Sequence, residues 1–133
     1  MLDTSAVSAL MRGAATDEPL QALVAGRSHL VSFVTVGELL HGAVKRGWSG
    51  QRLAQLETRI AGIAVVPGSI VVARNYARLK ARFGTSKQDN DLWIAASAMI
   101  DEPPLPIATL DKDFDEIGEF AGIQILRPGQ AST

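Results

Sequence analysis

Cysteine is missing from this 133-residue chain. Its absence excludes disulfides, zinc–thiolate sites and thiol catalysis together. Long apolar runs are missing too: no stretch approaches the ~20 residues that a membrane-spanning helix needs. The opening Met1-Leu2-Asp3-Thr4-Ser5 has neither the basic nor the apolar region of a signal peptide. The expectation is a soluble protein of the cytoplasm, without a membrane role. Neither sign of charge is in excess. A formal net charge of -1 gives no global basic field announcing a nucleic-acid binder, although an acidic pocket can cancel a basic patch elsewhere. Repeats, low-complexity tracts and long Pro/Gly-rich linkers are also lacking. Hydrophobic residues at 47 % and charged residues at 20 % argue against disorder and fit one domain over 1–133.

What is present is an alternation of short apolar strands and helices. Leu2-Asp3 ends a first strand, and Thr4 or Ser5 caps a helix through Met11, stopped by Gly13. Asp17 caps a second helix that closes at Gly26. The apolar, β-branched run His29-Leu-Val-Ser-Phe-Val34 reads as a buried strand. Thr35 then opens a helix to Arg46, and Ser49 caps another to Gly62. Ile63-Ala-Val-Val66 is a third strand, and the pattern from Ser69 to Phe83 is helical, with Gly84 after it. A helix from Asp89 or Asn90 runs toward Pro103-Pro104, followed by strands at Pro106–Thr109 and Gly122–Leu126. The fold predicted is an α/β/α sandwich with a mostly parallel central sheet of four to five strands.

Four acids stand where strands give way to helices or turns: Asp3, Glu38, Asp91 and Asp111. The alternating order carries all four to the edge beyond the carboxyl ends of the strands, where open parallel sheets bind ligands. Crowded carboxylates repel unless protonated or joined by a cation. A hard divalent ion such as Mg²⁺ suits oxygen donors of this kind. Each acid taken singly has a plainer account. Thr35-Val-Gly-Glu38 is a capping-box pattern, Asp91 suits the first turn of a helix, and Asp111 suits a solvated turn. Asp3 is harder to dismiss, because Thr4 and Ser5 are available to cap the first helix without it. The two histidines, His29 and His41, stand isolated and read as packing or surface residues.

These motifs resemble a known family. Leu2-Asp3-Thr4-Ser5, Thr35-Val-Gly-Glu38-Leu, Asn90-Asp91-Leu-Trp-Ile-Ala-Ala96 and Ala108-Thr109-Leu-Asp111-Lys-Asp113-Phe114 resemble, in order and spacing, the four acidic motifs of PIN-domain ribonucleases, particularly VapC-type toxins. The resemblance implies a Mg²⁺-dependent endoribonuclease, with Mn²⁺ a possible substitute. Asp3, Glu38 and Asp91 would line the metal site, with Asp111 as fourth catalytic acid and Asp113 as its alternative. Thr4, Thr109 and Asn90 would support the pocket. The partners implied are RNA, a VapB-type antitoxin whose C-terminal segment fills the groove, and a second copy in a homodimer. Val7, Leu10, Leu20 and Leu23 offer apolar surface that is either interface or core. The rivals are a degenerate PIN-like protein-binding module and a housekeeping RNA-processing nuclease. A haloacid-dehalogenase arrangement fails because Ser5 stands where a second Asp is required, and a receiver domain fails because Asp3 has no adjacent acid.

RNA also needs positive charge. Arg74, Arg78 and Arg82 at i, i+4, i+8 share one helix face. Lys80 lies beside them and Lys87 in the next loop. Phosphate contact and a merely solvated face weigh equally here. Trp48 and Trp93 offer stacking surfaces for bases, though Trp93 follows the core pattern.

Overall fold

The computed structural model describes residues 1–13 and 18–129. Within them the elements run α1 (Thr4–Arg12), α2 (Glu18–Val24), β1 (Leu30–Ser32), α3 (Phe33–Lys45), α4 (Gly50–Ala61), β2 (Ala64–Val66), α5 (Ile70–Phe83), α6 (Asp89–Ala98), β3 (Ile107–Ala108), α7 (Phe114–Ala121) and β4 (Ile125–Leu126). The expected cap Asp17 lies outside the described residues. No helix among them is long and apolar enough to cross a membrane.

Strand β1 pairs in parallel with β2, and β3 with β4. Residues 1–3 join the two pairs, because Leu2 bridges Val31 on one side and Ala108 on the other, both in parallel. Leu2 N–H donates to Leu30 O at 2.8 Å, Ala108 N–H to Met1 O at 2.9 Å and Asp3 N–H to Ala108 O at 3.1 Å. The Met1 ammonium closes the seam on Pro106 O at 2.9 Å. The order is therefore β2–β1–(1–3)–β3–β4, with every pairing parallel. Side chains alternate across the sheet as strand geometry requires. Met1, Val66 and Ile107 enter one apolar layer with Leu79, Leu92 and Phe114. Leu2, Val31 and Ala108 enter the other with Ala6, Val7 and Leu20. Val7 and Leu20 are thus buried core, and Leu10 and Leu23 pack partly buried against it. A third, smaller cluster around Ala43, Leu56 and Ile60 ties α3 to α4.

Several local expectations are corrected. The run 29–34 is strand only to Ser32, whose hydroxyl caps α3 by accepting from Val34 N–H at 3.2 Å. It also pairs with Ser97 of α6 at 2.8 Å. Phe33 and Val34 thus enter the first turn, and the capping box expected from Thr35 and Glu38 does not form. At α1 the cap is Asp3 itself, accepting from Ala6 N–H at 2.8 Å, rather than Thr4 or Ser5. At α6 the cap position is Gln88 rather than Asp89 or Asn90. Asp89 instead takes Lys80 at 2.8 Å and Tyr76 at 3.0 Å. Helix α7 has no counterpart in the sequence pattern. Its buried Phe114, Ile117 and Gly118 make a stripe one turn wide, too brief to stand out among three acids. Gly118 is required there, since a Cβ would meet Ile123 O at 2.7 Å.

Candidate active site

The carboxyl ends of the parallel strands deliver the acids to one crevice. Asp3 leaves the central segment and Glu38 lies in the second turn of α3. Asp91 sits in the first turn of α6, and Asp111 and Asp113 lie in the loop between β3 and α7. Asp3 is 3 % exposed. A carboxylate at that depth needs donors, and it has them. Ser5 Oγ donates to it at 2.7 Å, Ala6 N–H at 2.8 Å and Thr109 Oγ1 at 2.5 Å. Burial nevertheless raises its pKa above the ordinary value, and the nearby Asp111 charge adds to the rise against those hydrogen bonds.

The crowding is plainest at Asp91. Its pKa is pushed up to about 7, first by burial and then by the charges of Asp111, Asp3, Glu38 and Asp113. The four acids expected from the sequence therefore act on one point. Oxygens of Asp91, Asp111 and Asp113 lie within 4.8 Å of one another, so Asp111 and Asp113 both face Asp91. The motif resemblance implies an ion among Asp3, Glu38 and Asp91; among the described residues the acids close enough together to share one are Asp91, Asp111 and Asp113. Hard anionic donors at this spacing fit a divalent cation of the Mg²⁺ type.

Hydroxyls hold the acids in place. Thr4 Oγ1 donates to Glu38 Oε1 at 2.7 Å and contacts Thr35 Oγ1 at 3.1 Å. Thr109 Oγ1 donates to Asp3 and accepts from Asp111 N–H at 2.9 Å, coupling two acids. Asn90 is exposed in the first turn of α6 beside Asp91. Two residues of the site, Ser5 and Arg127, are assigned no site role by the sequence reading. Ser5 joins Asp3 to the β3–α7 loop by accepting from Leu110 N–H at 3.1 Å; its place two residues after a buried Asp is the signal that could have found it. Arg127, beyond β4, donates to Asp111 O at 2.9 Å and pairs with Asp115, and no local pattern marks it.

The expected basic surface is less coherent. Arg74, Arg78 and Arg82 are exposed on α5, away from its buried Val72, Leu79 and Phe83. Arg82 lies over the rings of Phe83 and Phe120. Lys80 is turned to Asp89, and Lys87 to Glu116 at 3.3 Å. Trp93 stacks on Tyr76 with centroids 3.9 Å apart, so one of its faces is occupied. His29 and His41 are both exposed, outside the site.

The pattern of the PIN domain matches residues 1–120. No curated protein matches the chain by sequence. Among solved structures, VapBC-5 of Mycobacterium tuberculosis, a member of the VapBC family of toxin–antitoxin systems, is similar at 34 % identity over 95 % of each chain, with a TM-score of 0.67. VapBC-1 of nontypeable Haemophilus influenzae is similar at 22 % identity over 96 % of each chain and a TM-score of 0.72. VapBC2 of Rickettsia felis, bound to a promoter DNA fragment, gives 20 % over 96 % of each chain and 0.72. With the four acidic motifs converging on one crevice of the same fold, the chain belongs to the PIN-domain family, in its VapC-type branch.

Proposed function

We propose that this chain is a Mg²⁺-dependent endoribonuclease of the cytoplasm and the toxin of a toxin–antitoxin pair, neutralised by a VapB-type antitoxin. The observation that carries the reading is the convergence of acids on Asp91, whose oxygens lie within 4.8 Å of those of Asp111 and Asp113. Burial first, and then the charges of Asp111, Asp3, Glu38 and Asp113, push its pKa up to about 7. Such a cluster costs stability unless a cation or a proton enters it. Asp91, Asp111 and Asp113 would hold the ion, with Asp3 and Glu38 around it. When bound, Mg²⁺, or Mn²⁺ in its place, supplies the charge that lets these acids ionise together and offsets the negative phosphate. The remaining chemistry belongs to the side chains. Thr4 fixes one Glu38 oxygen, leaving the other to accept a proton from the attacking water. Asp3, gripped by Ser5, Thr109 and the Ala6 amide, keeps the crevice from collapsing as charge develops. Attack by that water, rather than by the ribose 2′-hydroxyl, breaks the P–O3′ bond, and the 3′-oxygen leaves as a hydroxyl with a proton from solvent, so the products are a 3′-hydroxyl and a 5′-phosphate.

Exposed Val65, Ile70 and Val71 beside the edge strand β2 support the homodimer expected of this branch, which light scattering checks. The activity is tested with purified protein and total RNA, with and without Mg²⁺. Cleavage that needs the ion and disappears in folded Asp3→Asn and Asp91→Asn proteins is the expected result. Folded wild-type protein that leaves RNA intact with either Mg²⁺ or Mn²⁺ overturns the reading. A neighbouring small open reading frame encoding a DNA-binding antitoxin, whose co-expression rescues growth, would separate a toxin from an RNA-processing enzyme.

A further inference from the structure

Four arginines from three helices meet in one pocket. Arg12 ends α1, Arg46 caps α3 at its C-terminus, and Arg52 and Arg59 lie on α4. They line a cavity of about 420 Å³ with Ser8 and Trp48, over an apolar floor. No carboxylate lines the cavity, and none of the four arginines is in an ion pair among the described residues. Like charges gathered in this way repel, so the pocket favours an anion. Two of the guanidinium groups are already oriented. Arg52 lies 4.0 Å over the centre of the Trp48 ring, and Arg59 donates from one terminal nitrogen to Met11 O at 3.1 Å. The flat guanidinium fork matches phosphate oxygens two at a time.

The pocket and the acidic crevice lie along the same two helices, α1 and α3. Thr4, Ser8 and Arg12 share one face of α1 at i, i+4, i+8, and Thr35, Leu39, Ala43 and Arg46 follow one stripe of α3. At the near end of these two stripes Thr4 touches Thr35 and Glu38. At the far end stand Arg12 and Arg46. A rise of ~1.5 Å per residue puts Ser8 ~6 Å and Arg12 ~12 Å along α1 from Thr4. An RNA strand held at the carboxylates has to continue over neighbouring surface, and the carboxylates repel its other phosphates. A helix pair that carries acids at one end and arginines about two turns away answers both needs.

We propose that the pocket of Arg12, Arg46, Arg52 and Arg59 binds RNA phosphates flanking the scissile bond, in place of the arginine row on α5. The assignment rests on the nuclease reading, and one experiment separates the two. Fluorescence anisotropy with a labelled single-stranded RNA, in chelator and on the Asp91→Asn background, measures affinity across a salt series. Arg46→Gln/Arg52→Gln should bind at least ~10-fold more weakly, and its slope of log affinity on log salt should fall by ~1.4, at ~0.7 per lost phosphate contact. Arg74→Gln/Arg78→Gln should leave the slope unchanged. Should the pocket double variant melt early, Arg46→Gln alone gives the same readout with a loss of ~0.7. If wild type cuts RNA while the pocket variants keep the parental slope, the pocket assignment alone falls. It falls equally if those variants keep the slope and lose only binding to an Asp/Glu-rich peptide, which would make the pocket a protein-docking site. Folded wild-type protein that neither binds nor cuts RNA overturns both readings.

Discussion

Replacing Asp91 by asparagine keeps the side chain's size while deleting a charge that burial and four neighbouring acids oppose. In the unfolded chain this carboxyl ionises near 3.8, and in the fold only near 7. Below pH 3.8 both states are protonated and the group is neutral to stability. Between 3.8 and 7 the unfolded state gives up its proton and the folded state does not, so stability falls as pH rises. Above 7 the full cost is present. A rise of that size corresponds to ~4 kcal/mol at about 1.36 kcal/mol per pH unit. Asp91 is only half-buried, and solvent screening reduces the figure to ~1–2 kcal/mol. Asp91→Asn should therefore melt ~3–8 °C above wild type at pH 8 in chelator. The gain should fade as pH falls toward 4. Adding Mg²⁺ should raise the melting temperature of wild type and move the variant much less, since binding to the folded state alone stabilises it. Thermal melts by circular dichroism across pH 4–8, with and without the ion, make the measurement. Equal melting temperatures at pH 8 in chelator would refute the electrostatic reasoning, as would a gain that persists undiminished at pH 4.

Other outcomes follow from the same contacts. Glu38→Gln should leave the stability within ~0.5 kcal/mol of wild type while cleavage falls ~100-fold or more; Ser32→Ala, which removes the real cap of α3, should cost ~1–2 kcal/mol by denaturant titration. Ser5→Ala strips Asp3 and the Leu110 amide of a partner and should cost ~1–3 kcal/mol in the same assay. Isothermal titration with Mn²⁺ should show weaker binding for Asp111→Asn and Asp113→Asn alike; a loss confined to one of them would rule out the Asp91 triad as the ion's seat. Gly118→Ala forces a methyl against Ile123 O and should destabilise by ~1–3 kcal/mol; an unchanged melting temperature would mean that α7 and β4 are not in register as described.

The parallel sheet was legible because strands buried on both faces read as short apolar runs between capped helices, as at Val31 and Ile107. The acids were legible because that topology sends every strand end to one side. Identity of the caps was legible at Ser49 but not at α1, α3 or α6. A hydroxyl or carboxylate before a helix can serve several neighbouring amides, and only packing decides among them. Ser32 won α3 because Ser97 and Val34 both meet its hydroxyl, which moved Glu38 from a capping role to the crevice. The reverse happened at Asp3, which does cap α1 and yet lies among the acids. The joint presence of Asp111 and Asp113 was hidden because a turn two residues long faces both inward only when its backbone folds back, as Asp113 N–H does onto Asp111 Oδ1 at 2.9 Å. The arginine pocket was hidden by distance along the chain, since positions 12, 46, 52 and 59 share no period.

The bond from Thr109 to Asp3 spans 106 residues, and the middle of the sheet is residues 1–3 clasped between β1 and β3. A ribosome making this chain therefore releases the first acid long before the last can meet it. Until β3 emerges, Leu2 has only one flank, Asp3 lacks its Thr109 hydroxyl, and Asp91 has no Asp111 or Asp113 to face. The full set of acids assembles only once β3 and the loop after it have been made, so under the proposed reading a fragment that stops before Ile107 should leave RNA intact.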